Sequence, residues 1–210
     1  MRTPTKPSVR TGIQLVTVYR TNLHRVLSTD DSSLLNQLRN PRAREAAFGE
    51  LVRTYGPMLH RHLLRMLQRS ADVDDVLQNT FVKAYRGLES FREDAKLSTW
   101  LYRIATNEAL GWIRSQDRRG RREQAADPTD LTLASLRADP YFDGDAAQAQ
   151  LQLALAELPP KQRAVFSMRY FDELSYQEIS RVTGTSVGGL KANYHLAAKK
   201  IEAKLSAYVN

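Results

Sequence analysis

The chain has 210 residues, enough for one large domain or two small ones. Its 31 Lys and Arg against 23 Asp and Glu give a formal net charge of +8, which favours polyanionic partners such as nucleic acid. The lack of cysteine excludes disulfides, thiol nucleophiles and cysteine-ligated zinc. The longest apolar stretch near the N-terminus, residues 13–18, is too short for a membrane span, so we expect a cytoplasmic protein without membrane insertion.

The first helical pattern follows a stretch without any sustained period. We interpret residues 1–30 as an N-terminal extension, and their role cannot be inferred from the residues. Apolar residues over 48–55 then recur at the spacing of one helix face, and Gly56 and Pro57 interrupt the pattern. Because proline is well tolerated at the first position of a helix, the sequence predicts that one helix ends at Gly56 and a second begins at Pro57.

Two further helices complete the first predicted unit. A helix that starts near Ala71 would carry three aspartates in its first turn, where negative charge suits the helix dipole. A less regular segment over 89–97 follows, and Ser98 or Thr99 is a suitable N-cap for the next helix. The four helices together predict one bundle over residues 31–116.

The composition changes after this bundle. Ala, Asp, Pro and Gly become frequent, turn-forming dipeptides recur, and little periodic burial is visible. These features predict a flexible linker over residues 117–146, followed by a second helical unit over residues 147–210. The predicted fold is therefore all-α, with an N-terminal helical bundle and a C-terminal helical domain.

The C-terminal unit has the most regular pattern of the chain. Pro160 can begin one of its helices, and residues 175–178 have the S-x-x-E form of a capping box that opens a short helix. Gly184 can end that helix, and apolar residues recur at helical spacing over 187–205. A short helix, a tight turn and a longer helix are typical of a helix-turn-helix.

The outer face of the longer helix is the first candidate for DNA binding. Lys can donate to guanine or phosphate, Asn can pair with adenine, and small residues let a helix N-terminus approach a phosphate. The candidate residues are Ser186, Gly188, Lys191, Ala192, Asn193, His195 and Lys199. An ordinary solvated helix face would have the same polar character, and this alternative stays open here.

Aromatic and basic residues are mixed over residues 91–122. Single-stranded nucleic acid binds such surfaces, because bases stack on rings while Arg and Lys neutralise phosphate. The aromatic members are Phe91, Trp100, Tyr102 and Trp112, and an arginine-rich run over 114–122 follows them. Packing of the rings into a core, and a merely solvated start of the linker, are the alternatives.

No metal, cofactor or catalytic centre is predicted. The aspartates near Ala71 lack the glycine and downstream glutamate of a calcium loop, so their effect on the helix start is the better explanation. His60 and His62 would lie on different faces of a helix, which argues against a shared metal. The sequence has no P-loop, Gly-rich dinucleotide turn or hydrolase motif, so an enzyme is not indicated.

Two parts of the chain together resemble the extracytoplasmic-function (ECF) family of bacterial RNA polymerase sigma factors. D-D-V-L-Q-N-T-F at 74–81 and L-S-T-W-L-Y-R-I-A-T-N at 97–107 are similar to sigma region 2. L-P-P-K-Q-R at 158–163 and Y-F-D-E-L-S-Y-Q-E-I at 170–179 are similar to sigma region 4. The resemblance spans about residues 43–205 in the expected order, and it implies that the two predicted units are the region 2 and region 4 domains.

The resemblance implies that region 2 contacts both core RNA polymerase and promoter DNA. In this family the D-D-V-x-Q helix meets the clamp of core polymerase. The residues implied for that contact are Asp74, Asp75, Gln78 and Lys83. The loop before S-T-W-L and the helix after it correspond to the part that captures a base flipped from the -10 element. The residues implied there are Phe91, Arg92, Lys96, Trp100, Arg103 and Asn107.

The resemblance also assigns the -35 element to the C-terminal helix, at the candidate residues from Ser186 to Lys199. Here the sequence departs from the family pattern V-G-T-V-K-S-R-L-H-R-A. Gly189, Ala192 and Leu196 replace residues that carry hydroxyl or guanidinium donors. The departure bears directly on how this chain would recognise its -35 element.

The function implied is promoter recognition, DNA melting and transcription initiation without nucleotide hydrolysis, because binding of a flipped base can offset the cost of extruding it. An anti-sigma factor is a further partner that the family implies. The main alternative is an autonomous helix-turn-helix regulator, which would bind its DNA tightly without polymerase. A helical module with an RNA-binding basic face is a second alternative.

Overall fold

The computed structural model describes residues 31–91, 95–123 and 146–209, and every regular element in them is helical. This confirms the all-α prediction. The α-helices of the described residues are α1 (Ser32–Arg39), α2 (Arg44–Leu67), α3 (Ser70–Gly87), α4 (Leu97–Glu123), α5 (Ala146–Ala156), α6 (Pro160–Tyr170), α7 (Tyr176–Thr183) and α8 (Val187–Val209), and a short 3₁₀ helix (Leu88–Ser90) follows α3. We call α1–α4 the N-terminal bundle and α5–α8 the C-terminal bundle. The predicted extension over 1–30 and most of the predicted linker lie outside the described residues.

The prediction of two helices that meet at Gly56 and Pro57 is wrong. A single helix, α2, runs from Arg44 to Leu67 with Pro57 inside it. Its buried face continues without a shift past the proline, from Leu51 through Tyr55 and Met58 to Met66. Packing of one continuous apolar face therefore outweighs the hydrogen bond that a proline removes from a helix interior.

The predicted N-cap of the fourth helix is also wrong. Helix α4 begins at Leu97, so Ser98 and Thr99 lie inside its first turn, and both are almost completely buried. The helix then continues beyond residue 116, where the sequence places the end of the first unit, to Glu123. The start of α6 at Pro160 agrees with the prediction, since this proline occupies the first turn.

A continuous apolar core joins the two bundles. In the N-terminal bundle, Leu59 and Leu101 are completely buried where α2 and α4 pack together. The same apolar cluster includes Val165 and Met168 of α6 and Ile179 of α7. The C-terminal bundle has a smaller cluster of its own, built by α5, α6 and α8. The structure therefore holds the two bundles together through α2 and α4 on one side and α6 and α7 on the other.

A buried ionic cluster lies in this contact between the bundles. Asp172, in the turn after α6, is 1% exposed and forms an ion pair with Arg65 of α2. The Arg65 guanidinium also lies 4.8 Å from the centre of the Phe171 ring. Burial alone would raise the pKa of Asp172, but the positive charge of Arg65 and the hydrogen bond from His62 outweigh it and lower the pKa below 3.8. Asp172 is therefore an ionised carboxylate at neutral pH.

His62 connects this carboxylate to a third helix. Its Nδ1 lies 3.3 Å from Asp172 Oδ2, and its Nε2 lies 3.0 Å from Thr106 Oγ1 on α4. Because an ionised carboxylate can only accept, Nδ1 of His62 donates to Asp172, while Nε2 is hydrogen-bonded to the Thr106 hydroxyl. The completely buried Tyr102 ring packs edge-on against His62, with ring centres 4.9 Å apart. Burial, and then the charge of Asp172, raises the pKa of Tyr102 well above its ordinary value.

Arg163 of α6 adds a second polar contact between the bundles. Its Nη1 donates to the carbonyl oxygen of Met66 at 2.7 Å, and its Nη2 donates to that of Ala156 at 2.7 Å. Burial lowers the pKa of Arg163 to about 10, so the side chain still carries its charge at neutral pH. The guanidinium thus ties the C-terminal end of α2 to that of α5 and satisfies carbonyls that a helix end leaves unpaired.

We expect Asp172→Asn to lower the free energy of unfolding by about 3 kcal/mol, because it leaves the mostly buried Arg65 guanidinium without its counter-charge. Urea denaturation measures the difference, and Glu202→Gln, at an exposed position of α8, is the matched control. Since the folded-state pKa of Asp172 is lowered, its contribution is complete above pH 3.8 and is lost as the pH falls through the folded value. An Asn variant as stable as wild type at neutral pH would contradict this role.

Candidate polymerase and nucleic-acid interfaces

One face of α3 carries three of the four residues predicted to bind core polymerase. Asp74, Asp75 and Gln78 are all exposed there. Asp74 Oδ1 lies 3.7 Å from His60 Nε2, whereas His62 contacts the buried Asp172. The two histidines therefore have different acidic partners. These three side chains form an open surface of carboxylate and amide groups.

Lys83 lies on another side of the same helix. Its ammonium group is 2.5 Å from Glu108 Oε1 on α4, so it joins α3 to α4 rather than to the face around Gln78. The structure thus brings Asp74, Asp75 and Gln78 together and leaves Lys83 apart from them.

Gln78 borders an apolar groove that the sequence analysis did not identify. Phe48 and Val52 of α2 form one wall, and Val82 and Tyr85 of α3 form the other. Val82 and Tyr85 are 42% and 44% exposed, unusually high values for large apolar side chains. Their positions four and seven residues after Gln78, on its own helix face, are the signal that would have revealed them.

The predicted -10 residues gather at the start of α4. Phe91 and Trp100 pack together with ring centres 5.0 Å apart, and both are half-buried against the core. Arg103 and Asn107 are exposed and follow Trp100 by three and seven residues, so the three side chains share one helix face. The arrangement places two aromatic rings beside a cation and an amide, which suits stacking and base-edge contacts.

Two predicted -10 residues differ from this group. Lys96 is exposed, and its ammonium group lies 3.9 Å from Glu178 at the start of α7, so its charge faces the C-terminal bundle. Arg92 lies outside the described residues.

The Trp100 ring of the Phe91–Trp100 pair lies close to Gly87, since a Cβ atom at residue 87 would be 3.2 Å from that ring.

The aromatic residues over 91–122 do not all belong to this surface. Tyr102 is completely buried and packs in the contact between the bundles, so its place among the exposed rings was a wrong prediction. Trp112 is half-buried against the N-terminal core. Packing into the core, the alternative considered from the sequence, is therefore correct for Tyr102 and partly correct for Trp112.

The helix-turn-helix is built by the local signals that the sequence contains. Ser175 Oγ accepts from the Glu178 backbone N–H at 3.2 Å, and Glu178 Oε2 accepts from the Ser175 N–H at 2.8 Å, which completes the capping box. Gly184 ends α7 with φ at 69°, a conformation that favours glycine. Ser186 Oγ then accepts from the Gly189 N–H at 3.3 Å and caps α8.

Most of the predicted -35 residues share the outer side of α8. Exposed residues of the set are Ser186, Gly188, Lys191, Ala192, His195 and Lys199, whereas Asn193 is half-buried. The Lys191 ammonium lies 6.0 Å from the centre of the Tyr176 ring, and a Cβ atom at Gly188 would meet no neighbour within 4 Å. The face is therefore open and positively charged, as DNA binding requires.

The described residues contain no cluster of metal-ligating side chains. None of the described helices is both long enough and apolar enough to cross a lipid bilayer.

Comparison with known proteins identifies the family of the chain. The model of Sigma-70 region 2 matches residues 51–119, and the model of Sigma-70, region 4 matches residues 148–201. The chain is 32% identical over 166 residues to the ECF RNA polymerase sigma factor SigW of Bacillus subtilis, and the match covers 76% of this chain and 89% of SigW. It is 31% identical over 166 residues to the ECF RNA polymerase sigma-E factor of Haemophilus influenzae, covering 76% of this chain and 87% of that protein.

A solved structure shares the fold. The sigma factor RpoE in complex with the anti-sigma factor NepR from Bartonella quintana matches with a TM-score of 0.66 at 20% identity, over 76% of this chain and 96% of that one. Two helical regions in this order, one of them ending in a helix-turn-helix, define a sigma factor of the sigma-70 class. The chain belongs to the ECF family of RNA polymerase sigma factors.

Membership in this family settles the choice between the functions considered from the sequence. The protein is a sigma factor, which binds core RNA polymerase and directs it to promoters. An autonomous helix-turn-helix regulator does not account for the match of region 2 over 51–119.

Proposed function

We propose that the face of α3 around Asp75 and Gln78 docks on core RNA polymerase, together with the apolar groove beside it. The carboxylate and the amide would fix the orientation, and burial of the apolar side chains of Val82 and Tyr85 would contribute affinity. The observation that supports this is the pairing of exposed polar and exposed apolar side chains on one helix face. Lys83 supports the surface indirectly, through its ion pair to α4.

We expect Asp75→Ala combined with Gln78→Ala to lower the affinity for core polymerase by at least tenfold, because the surface would lose both of its orienting polar groups. Co-elution with purified core polymerase, or its titration against labelled protein, measures the change. The matched control is Gln177→Ala with Glu202→Ala, which removes the same groups from exposed positions of the C-terminal bundle. Equal binding of the two double variants would contradict the proposed surface.

We propose that the start of α4 captures the -10 element as single-stranded DNA. A base flipped out of the duplex would meet the Phe91–Trp100 pair, while Asn107 would contact its edge and Arg103 a phosphate. These contacts can offset the few kcal/mol that extrusion of a base costs, so binding alone would drive melting, without nucleotide hydrolysis. Lys96 would add positive charge to this contact once it leaves Glu178. Arg92, which lies outside the described residues, is proposed for the same contact.

We expect Asn107→Ala to reduce open-complex formation by about tenfold while core polymerase binding is unchanged, because the variant loses an edge contact that only the flipped base makes. Permanganate footprinting of promoter DNA measures opening, and co-elution measures polymerase binding. Gln162→Ala, on α6, is the matched amide control. If Asn107→Ala lowered both quantities equally, its role in base capture would be wrong.

The outer face of α8 would read the -35 element as duplex. Ser186 and Gly188 lie at the helix start, where backbone N–H groups can bind a phosphate, and Lys191, His195 and Lys199 form a basic line along the helix. Ala192 and the half-buried Asn193 would complete the contact with base edges. The protein would act without catalysis, cofactor or metal, in the cytoplasm where core polymerase works.

An anti-sigma factor is the remaining partner that we propose. The solved structure of the sigma factor RpoE from Bartonella quintana is a complex with the anti-sigma factor NepR. A protein of that kind would cover the apolar groove beside Gln78, since an exposed apolar patch is a common place for a protein partner to bind.

The two bundles must separate to read both promoter elements together. A compact unit of about 150 residues has a radius of gyration of roughly 15 Å, whereas 25 base pairs of DNA are about 85 Å long. The packing of α4 against α7, and the contact of Lys96 with Glu178, also place the proposed -10 surface next to the helix-turn-helix. The closed arrangement would therefore belong to the free protein, and an open one to the holoenzyme.

We expect addition of core polymerase to lower energy transfer between dyes on the two bundles. Because the chain has no cysteine, Ala46→Cys and Ala203→Cys, both exposed, provide unique attachment points. The control has the same dyes on the Asp75→Ala, Gln78→Ala variant, at a polymerase concentration that saturates the wild type but not this weaker variant. If energy transfer stayed unchanged although the holoenzyme had formed, the proposed separation of the two bundles would be wrong.

A further inference from the structure

Leu196 is an exposed apolar residue at the edge of the proposed DNA-reading face, about 100° around α8 from the buried Ala197. Its side chain is 48% exposed, the highest value among the exposed large apolar residues of the described chain. Leu196 is not a member of the buried core of the C-terminal bundle, to which α8 contributes Ala197 and Ile201. A single exposed leucine is common on protein surfaces, so its meaning depends on its neighbours.

Its neighbours form an apolar line along α8. Gly188, Ala192 and Leu196 are four residues apart and lie one above the other on the helix surface. Ala192 projects opposite the buried Leu190, because two residues turn a helix by about 200°. Ala192 thus lies near the centre of the face that points away from the bundle, and Leu196 lies toward the edge of that face.

A parallel basic line shows what covers these apolar groups. Lys191, His195 and Lys199 are also four residues apart, directly beside the apolar line, and all three are exposed. From Ile179 to Ile201 the chain has no Asp or Glu. Such a charge pattern favours a polyanion over an apolar protein partner, because phosphates would meet the basic line while base edges meet the apolar one.

We propose that this sigma factor recognises thymine methyl groups in its -35 element through Ala192 and Leu196. The proposal rests on the proposed function of α8. In the major groove the thymine C5-methyl group is the one apolar feature of a base edge, and small apolar side chains are its usual partners. An alanine and a leucine have no donor or acceptor, so the hydrogen-bonded readout of other bases is not open to them.

The proposal gives the promoter a chemical signature. The base pairs that face Ala192 and Leu196 are A·T pairs, with the thymine methyl directed at the helix, while Lys191 and Lys199 contact phosphate or a neighbouring guanine. Loss of one buried methyl group corresponds to about a fourfold loss of affinity. The preference for thymine over a base without the methyl group is therefore moderate at each position, and it arises from apolar contact and not from hydrogen bonding.

Replacement of thymine by uracil tests the proposal, since the two bases differ only in that methyl group. Holoenzyme assembled from the full chain and core polymerase first selects its preferred -35 duplex from a randomised pool. Each selected thymine is then replaced by uracil, and binding is compared with the unmodified duplex. We expect about a fourfold loss at one or two positions, and Leu196→Ala should abolish the loss at one of them while Leu196→Ile retains it.

Lys199→Ala distinguishes methyl recognition from general affinity. Loss of a phosphate contact weakens binding to thymine and uracil duplexes equally, so the ratio of the two affinities stays at the wild-type value. Two results would overturn the methyl proposal while leaving -35 recognition intact. One is selection of a site that contains no thymine. The other is a ratio of thymine to uracil affinities that neither Leu196→Ala nor Ala192→Gly changes. If the holoenzyme showed no preference among the duplexes, recognition of the -35 element by α8 would be wrong, and the methyl proposal would be wrong with it.

Discussion

The buried carboxylate of Asp172 is the interaction on which the arrangement of the two bundles depends. It belongs to the C-terminal bundle, but its partners Arg65 and His62 belong to α2 of the N-terminal bundle. A carboxylate with 1% exposure is tolerated only when its charge is neutralised and its oxygens accept hydrogen bonds. The contacts of Asp172 with Arg65 and His62 therefore define how the bundles meet, while the surrounding apolar residues of α6 and α7 supply the buried surface.

The same contact constrains how the protein can work. Apolar burial holds the bundles together in any register, whereas a buried ion pair penalises every arrangement in which one charge loses its partner. Opening is nevertheless possible, because both charges regain water when the bundles separate. In the proposed complex, core polymerase would offset the lost apolar contact by binding the groove beside Gln78. In this proposal, the closed state would keep the proposed -10 surface near the helix-turn-helix until a partner with higher affinity for the open state binds.

Local signals in the sequence predict the C-terminal bundle well. Pro160, the capping box of Ser175 and Glu178, and Gly184 act within a few residues of their own position, so their effect can be derived without knowledge of the fold. Pro57 shows the limit of that reasoning. Its local preference is to begin a helix, but burial on both sides of it keeps α2 continuous, and burial depends on residues far away in the chain.

The contact between the bundles could not be predicted from the sequence. Asp172 has the appearance of an ordinary turn residue, and its partners lie more than 100 residues earlier. Tyr102 has the character of a stacking aromatic, yet it packs against His62 in that contact. For the candidate sites, helical spacing predicts which residues share the outer face of α8 and which lie on the face of Gln78. The groove beside Gln78 also needs Phe48 and Val52 of α2, so its walls follow only from tertiary packing.

The most direct test of the account is transcription from fragmented genomic DNA with purified core polymerase, with and without this protein, followed by sequencing of the RNA 5′ ends. Our account predicts new start sites that appear only with the protein and share two sequence elements upstream, at -10 and -35. Start sites identical to those of core polymerase alone, under conditions in which the protein is bound to the polymerase, would contradict it.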